Sequence, residues 1–162
     1  METLHTADEV RAAWDGPDSA GGAAVGAVVV SGDRIGAIGP YDDLRERFPA
    51  ARVRRWSGVL GPALVHDGPL PDAPSPRERI HAVLKRGAVA VLEEYAAEPG
   101  VRAAAARAGV LVLPGGRQTD RTDRTDRRTA IVEAGRADLA VFDADGRCVA
   151  TVCAGRLLHR RA

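Results

Sequence analysis

The sequence predicts an α/β fold, and three observations carry that prediction. β-rich runs broken by turn pairs occur towards both ends of the chain, at Val25–Ser31 with Arg34–Ile38 and at Ala137–Asp143 with Arg147–Cys153. Between them, apolar runs alternate with helix-start signals in the order strand, helix, strand, helix, strand. At 162 residues the chain is also too short for a complete eight-fold β/α barrel, which needs at least about 200.

The first end region begins with a short strand at Thr3–Thr6 and a Gly/Pro/Asp-rich loop at Asp15–Gly22. Gly32-Asp33 is a turn pair between two β-rich runs, the signature of a hairpin, and Gly39-Pro40 ends it. Asp42–Phe48 reads as a short helix with Leu44 and Phe48 on one face, closed by Pro49, and Arg52–Trp56 as a further strand.

The middle region opens on an apolar strand, Val59–Val65. Ser75-Pro76-Arg77-Glu78 starts a helix: Ser caps it, Pro suits the first helical position, and Glu three residues on closes a capping box. Ile80, Val83 and Leu84 form its buried stripe and Gly87 its C-terminal stop. Ala88–Leu92 is continuously apolar, the pattern of a strand covered on both faces. Pro99 opens a second helix, lined by Val101, Ala104, Ala105 and Ala108 and stopped by Gly109, before the strand Val110–Leu113. Strands joined in this way pair in parallel through right-handed crossovers.

Pro114-Gly115-Gly116 then leads into the repeats Thr119-Asp-Arg, Thr122-Asp-Arg and Thr125-Asp-Arg127. With no apolar stripe to bury, residues 114–130 read as a solvated, flexible linker. The β pattern returns in Ala137–Asp143, a turn at Ala144-Asp145-Gly146, Arg147–Cys153 and a tail strand, Gly155–His159.

Apolar residues make up 45% of the chain and charged residues 28%, enough for an ordinary core. The 23 basic and 22 acidic residues nearly cancel, and aromatics are only 4%, so neither an anionic membrane nor nucleic acid is an expected partner. Arginine outnumbers lysine 22 to one, asparagine is absent and 30 residues are alanine, so a single arginine carries little functional weight. Cys148 and Cys153 lie five apart in one strand, on opposite faces if the strand alternates regularly, which disfavours a bridge. Reduced thiols, no apolar run of about 18 residues and no leader pattern point to the cytoplasm.

A hairpin, a parallel β/α segment and a returning hairpin resemble the metal-dependent amidohydrolases, most closely their imidazolonepropionase-like and aminodeoxyfutalosine-deaminase-like branch. Ala27–Pro40 looks like the opening hairpin, Trp56–Val65 like the run into the first barrel strand, and Gly135–Asp143 with Val152–Arg156 like the closing strands. The resemblance implies a β-sandwich-like composite domain from 1–58 and 131–162, with 59–113 as a truncated βαβαβ remnant of the barrel. Leu139, Val141 and the 149–152 strand would then complete a core with Val28, Val30 and Ile35, at about 1.5–3 kcal/mol for each buried side chain.

In that family the first barrel strand ends Pro-Gly-Leu-Val-Asn-x-His-x-His, and the two histidines hold a divalent metal. Here the stretch is Pro62-Ala-Leu-Val-His-Asp-Gly-Pro-Leu70, so Gly68 and Leu70 occupy the two ligand positions. No family metal ligand carries over, and His66 alone cannot fix an ion and its activated water. The four histidines are scattered; His81 falls on a helix, while His5 and His159 would meet only if the end strands bring them together.

In parallel β/α units chemistry gathers at the carboxyl ends of strands. His66 and Asp67 follow the first such strand, Glu93 and Glu94 the second. These four are the candidate catalytic residues, a general base with carboxylate partners, unless they are polar only because they meet water. The leading expectation is a non-catalytic amidohydrolase relative acting through binding or assembly, with no cofactor. The alternatives are a hydrolase of non-peptide C–N bonds with an unrecognised or subunit-shared zinc or iron site, and a small-ligand binder using the His66–Glu93 end. An open parallel sheet also calls for a cover: a second copy, a protein partner or the N-terminal segment.

Overall fold

The computed structural model describes residues 1–14, 26–114 and 130–162. The expected Asp15–Gly22 loop, and all but the two ends of the expected 114–130 linker, lie outside the described residues. In chain order the elements are β1 (Glu2–Val10), β2 (Ala27–Ser31), β3 (Arg34–Gly39), α1 (Tyr41–Arg47), β4 (Arg52–Pro62), β5 (Leu64–His66), α2 (Pro76–Lys85), β6 (Ala88–Leu92), α3 (Pro99–Ala108), β7 (Leu111–Leu113), β8 (Leu139–Phe142), β9 (Cys148–Cys153) and β10 (Arg156–Arg160). Ten strands form two sheets among the described residues, one of seven in the order β10-β9-β8-β4-β1-β2-β3 and one of three in the order β5-β6-β7.

The seven-stranded sheet is built from both end regions and curls so that its two ends face each other. Val28, Val30 and Ile35 share one buried cluster with Leu139, Val141, Ala150 and Val152, although their strands lie at opposite ends of the sheet order. Backbone bonds close the gap: Ile35 N–H donates to Gly135 O at 2.8 Å, and Ala137 N–H to Asp33 O at 2.8 Å. Gly155 N–H donates to Ala137 O at 2.9 Å. Gly155 adopts φ +78° against Gly32, where a Cβ would collide with the Gly32 carbonyl, so the closure needs glycine. The sandwich-like interior is therefore the concave face of one sheet.

Two strands run further than local pattern indicates. β1 is nine residues long because it is paired on both sides, antiparallel to β2 and parallel to β4. β4 merges the expected Arg52–Trp56 strand with the first part of the expected Val59–Val65 strand. Ser57-Gly58 resembles a break, but Ala7 pairs with Trp56 and Glu9 with Val59, so the extra residue is absorbed as a bulge. Gly58 has φ +106° and faces the Phe142 carbonyl so closely that no Cβ fits, while its N–H donates to Asp8 Oδ2 at 2.7 Å. Residues 59–62 thus pair with β8 in the large sheet, and the parallel unit begins at β5.

β5, β6 and β7 are parallel, as strand–helix alternation predicts. Ser75 Oγ accepts from Glu78 N–H at 3.2 Å and its hydroxyl donates to Glu78 Oε2 at 2.9 Å, with Pro76 opening α2. Gly109 ends α3 at φ +80°. All five residues of β6 are buried. Ile80, Val83, Leu84, Val101, Ala104 and Ala105 pack on this sheet together with Ala140 and Cys153 of the large one, so the two sheets share a core. Thr151 Oγ1–H donates to Leu84 O at 2.6 Å, a second bond to a carbonyl in the last turn of α2 that also accepts from Gly87 N–H at 3.0 Å. On the other side of β1–β3, Leu44 of α1 packs with Leu4, Val29 and Ala37.

Both cysteines are free and buried. The pairing slips between Cys148 and Ala150, and the Cys148 thiol lies 3.3 Å from Thr151 Oγ1, on the α2 side. Cys153 packs towards α3, so the bulge puts both thiols on the helix side instead of alternating. Among the described residues no helix is long and apolar enough to cross a membrane.

Leu139 is 1% exposed at the centre of the shared interior, whereas Val132 is 53% exposed. Leu139→Ala is expected to cost about 2–5 kcal/mol of unfolding free energy, and Val132→Ala to stay within about 0.5 kcal/mol of the parent. Urea unfolding of the two variants checks this; equal losses would contradict a core shared by the chain ends.

Candidate functional site

β5 and β6 are neighbours, with His66 opposite Val91, so His66, Asp67, Glu93 and Glu94 do come to one end of the parallel sheet. The His66 and Glu93 side chains hold separate partners. His66 is half-buried and its Nε2–H donates to Pro69 O at 3.0 Å, tightening its own loop. Glu93 lies 3.4 Å from Arg102 of α3, an exposed pair of the kind that contributes little to stability. Arg102 Nε also donates to Ala96 O at 3.0 Å, so the pair lies at the turn leading into α3. The described cavities, of about 1010, 420 and 540 Å³, are lined by none of the four candidates.

Of the two positions that the resemblance assigns to metal ligands, one is open and the other is packed. Gly68 has no side chain, and a Cβ built there would meet nothing within 4 Å. Leu70 is 5% exposed and sits in the core with Ile80, Val83 and Val101. A histidine could not replace it without placing a polar ring among aliphatic groups. Among the described residues no group of three or more His, Cys, Asp or Glu side chains is placed to hold a metal ion. The residues present do not fit the metal centre that the resemblance implies.

A polar junction that sequence reasoning missed lies at Arg136, Asp138 and Cys153. Arg136 Nε is 3.1 Å from Asp138 Oδ1, its guanidinium donates to Gly109 O, and it lies 3.1 Å from Cys153 Sγ. Asp138 Oδ1 in turn accepts from Ala154 N–H at 2.9 Å. Burial pushes the Cys153 thiol up to about 11, so it stays protonated near neutrality and is a poor nucleophile. The arrangement fastens the C-terminal end of α3 to the large sheet. The only prior signal was the Gly135-Arg-Ala-Asp138 segment itself, which has no recognisable spacing.

His5 and His159 are not brought together as a ligand pair. His5 is 3% exposed, and its Nδ1 accepts from Trp56 Nε1–H at 3.2 Å with the two rings stacked. Arg160 lies over the other partner, 5.7 Å from the Trp56 ring centre. His159 instead stands near His81 and Lys85 of α2. Burial first, and then these positive neighbours with Arg161, lower its pKa despite a bond to the Cys148 backbone.

Residues 26–51, the β2–β3 hairpin with α1, match the family model for the imidazolonepropionase-like composite domain of bacteria. Among solved structures, E. coli guanine deaminase superposes with a TM-score of 0.52 at 12% identity, over 71% of this chain and 36% of that one. Guanine deaminase from Bradyrhizobium japonicum gives 0.50 at 13% identity, over 71% and 35%. The fold is amidohydrolase-like. Helicobacter pylori aminofutalosine deaminase is 19% identical over 56% of this chain and 27% of that one, with a TM-score of 0.41. No curated protein matches. The chain spans about a third of the length of the two guanine deaminases whose amidohydrolase-like fold it shares.

Within this amidohydrolase-like fold His5 gives a stability signature. Burial, and secondarily Arg54, lowers its pKa from 6.5 to about 4, so the unfolded chain takes up the proton first as pH falls. The neutral ring's stabilisation is complete above pH 6.5 and is lost down to about pH 4, up to about 3 kcal/mol. Denaturant unfolding from pH 7 to pH 4 should show a steeper loss for the parent than for His5→Gln, which takes up no proton. Parallel curves would remove His5 as the cause.

Proposed function

We propose that this amidohydrolase-like chain is non-catalytic and acts through binding or assembly. The observation that carries the reading is Leu70, whose side chain fills the core at the position where the resemblance implies a metal ligand. Gly68 offers no donor at the other position, and the His66 imidazole is directed at Pro69 O. A divalent ion needs several donors converging on one point to activate water.

Assembly draws its support from the three-stranded sheet. β5 and β7 are its edges among the described residues. Open edges of this kind pair readily with another chain. A groove of about 420 Å³ runs beside them, lined on one side by Leu64, Val65, Ala90 and Leu113 and on the other by Val132 and Arg136. A second copy of the chain or another protein laid along this side would cover both the edge and the groove.

Two measurements test the proposal. Metal analysis of protein purified without chelator is expected to find far less than one zinc or iron per chain; one tightly held ion per chain would overturn it in favour of C–N bond hydrolysis. Mass measurement of the complex purified from the native cell is expected to exceed that of one chain. A bare monomer would overturn the assembly reading.

A further inference from the structure

Positive charge converges at one place where, among the described residues, no acidic side chain joins the lining. A concavity of about 540 Å³ lies where the C-terminal end of α2, the β8–β9 turn and the end of β10 meet, and it is lined by Lys85, Arg86, Arg147, Arg161 and His159 around Phe142 and Cys148. Two carboxylates stand in the adjoining turn and neither lines the concavity: Asp143 Oδ1 accepts from the N–H groups of Asp145 and Arg147, each at 2.9 Å, and Asp145 is exposed beside Gly146 with no ion pair to a lining cation among the described residues. Among the described residues none of the four cations has an ion pair.

Lys85 and Arg86 at the end of α2 are explained by the helix dipole, which favours cations there. Arg147 and Arg161 are not, since they come from the turn and tail of the large sheet and add to the same field. A chain with formal net charge +1 has no general excess to scatter, so four cations on one concavity make a local field that attracts anions. The neighbouring groove of about 1010 Å³ differs: there Arg77, Arg107 and Arg156 share the lining with Glu78, and Arg156 donates to Ala108 O at 3.1 Å.

We propose that the Lys85–Arg86–Arg147–Arg161 concavity is a binding site for a small molecule carrying two or more phosphates. Guanidinium forks match phosphate oxygens two at a time, and an ammonium adds a point charge that adapts to either oxygen. The volume falls in the range of small-ligand sites, about 300–1,000 Å³. A single carboxylate would leave most of the positive field unanswered, whereas a diphosphate engages cations from all three elements at once.

The test uses inorganic pyrophosphate and the whole chain, read by isothermal titration calorimetry at low salt. Saturable binding is expected, weakened about tenfold or more in Lys85→Ala/Arg147→Ala. Arg107→Ala, in the neighbouring groove, should bind like the parent. All four lining cations are exposed, so their removal does not touch the core, and Arg161→Gln alone gives the same reading should the double variant misfold. Absence of saturable binding, an unchanged affinity in the Lys85/Arg147 variant, or an equal loss in Arg107→Ala would overturn the proposal. So would binding of a single-stranded oligonucleotide without any binding of pyrophosphate.

Discussion

Burial of Leu139 and Val141 against Val28, Val30 and Ile35 joins the two end regions of the chain, and the rest of the architecture follows from it. For those side chains to meet, the large sheet must curl, and it must take strands from both regions. β4 becomes the spine, paired with β1 on one side and β8 on the other. Because β4 continues almost directly into β5, the parallel unit hangs from the middle of the large sheet. Arg136, Asp138 and Thr151 then tie the helix layer back onto it with directional bonds.

The same packing reaches the candidate site. The loop after β5 delivers Leu70 into the core of α2 and α3, where burial of an aliphatic side chain stabilises the helices on their sheet. A position that takes part in this packing is not available as a donor to an ion. His66, Asp67, Glu93 and Glu94 remain at the strand ends, where His66 is held by its own loop and Glu93 by α3. The cations around which anion binding is proposed lie elsewhere, beyond the end of α2, with no ion pair among the described residues.

Much of this was legible in the residues. The Gly32-Asp33 and Asp145-Gly146 turns, the Ser75-Pro76 cap and the uninterrupted Ala88–Leu92 run are local signals, and each produced its expected element. The shared core was readable because alternate apolar residues in β2, β3, β8 and β9 need a common face. What escaped depends on partners distant in sequence. Asp8 and Glu9 look like the end of a strand until β4 is present to pair with them. Ser57-Gly58 looks like a break until the bulge and the Phe142 carbonyl account for it. The slip that turns Cys148 towards α2 is likewise set by how β9 lies on β8. Four separate arginines and lysines in an arginine-rich chain carry no signal until the fold places them around one concavity.

The position of β4 at the centre of the large sheet has a consequence for synthesis. As the polypeptide leaves the ribosome, β1 to β4 can assemble, but the outer edge of β4 at Val59–Pro62 waits for β8, which follows only after the whole parallel unit has been made. During that interval a strand destined for the interior presents unpaired backbone groups to its surroundings. Non-local pairings of this kind fold slowly and favour association of partly made chains. The nascent molecule is therefore vulnerable along Val59–Pro62, a segment that is paired on both sides once β8 is in place.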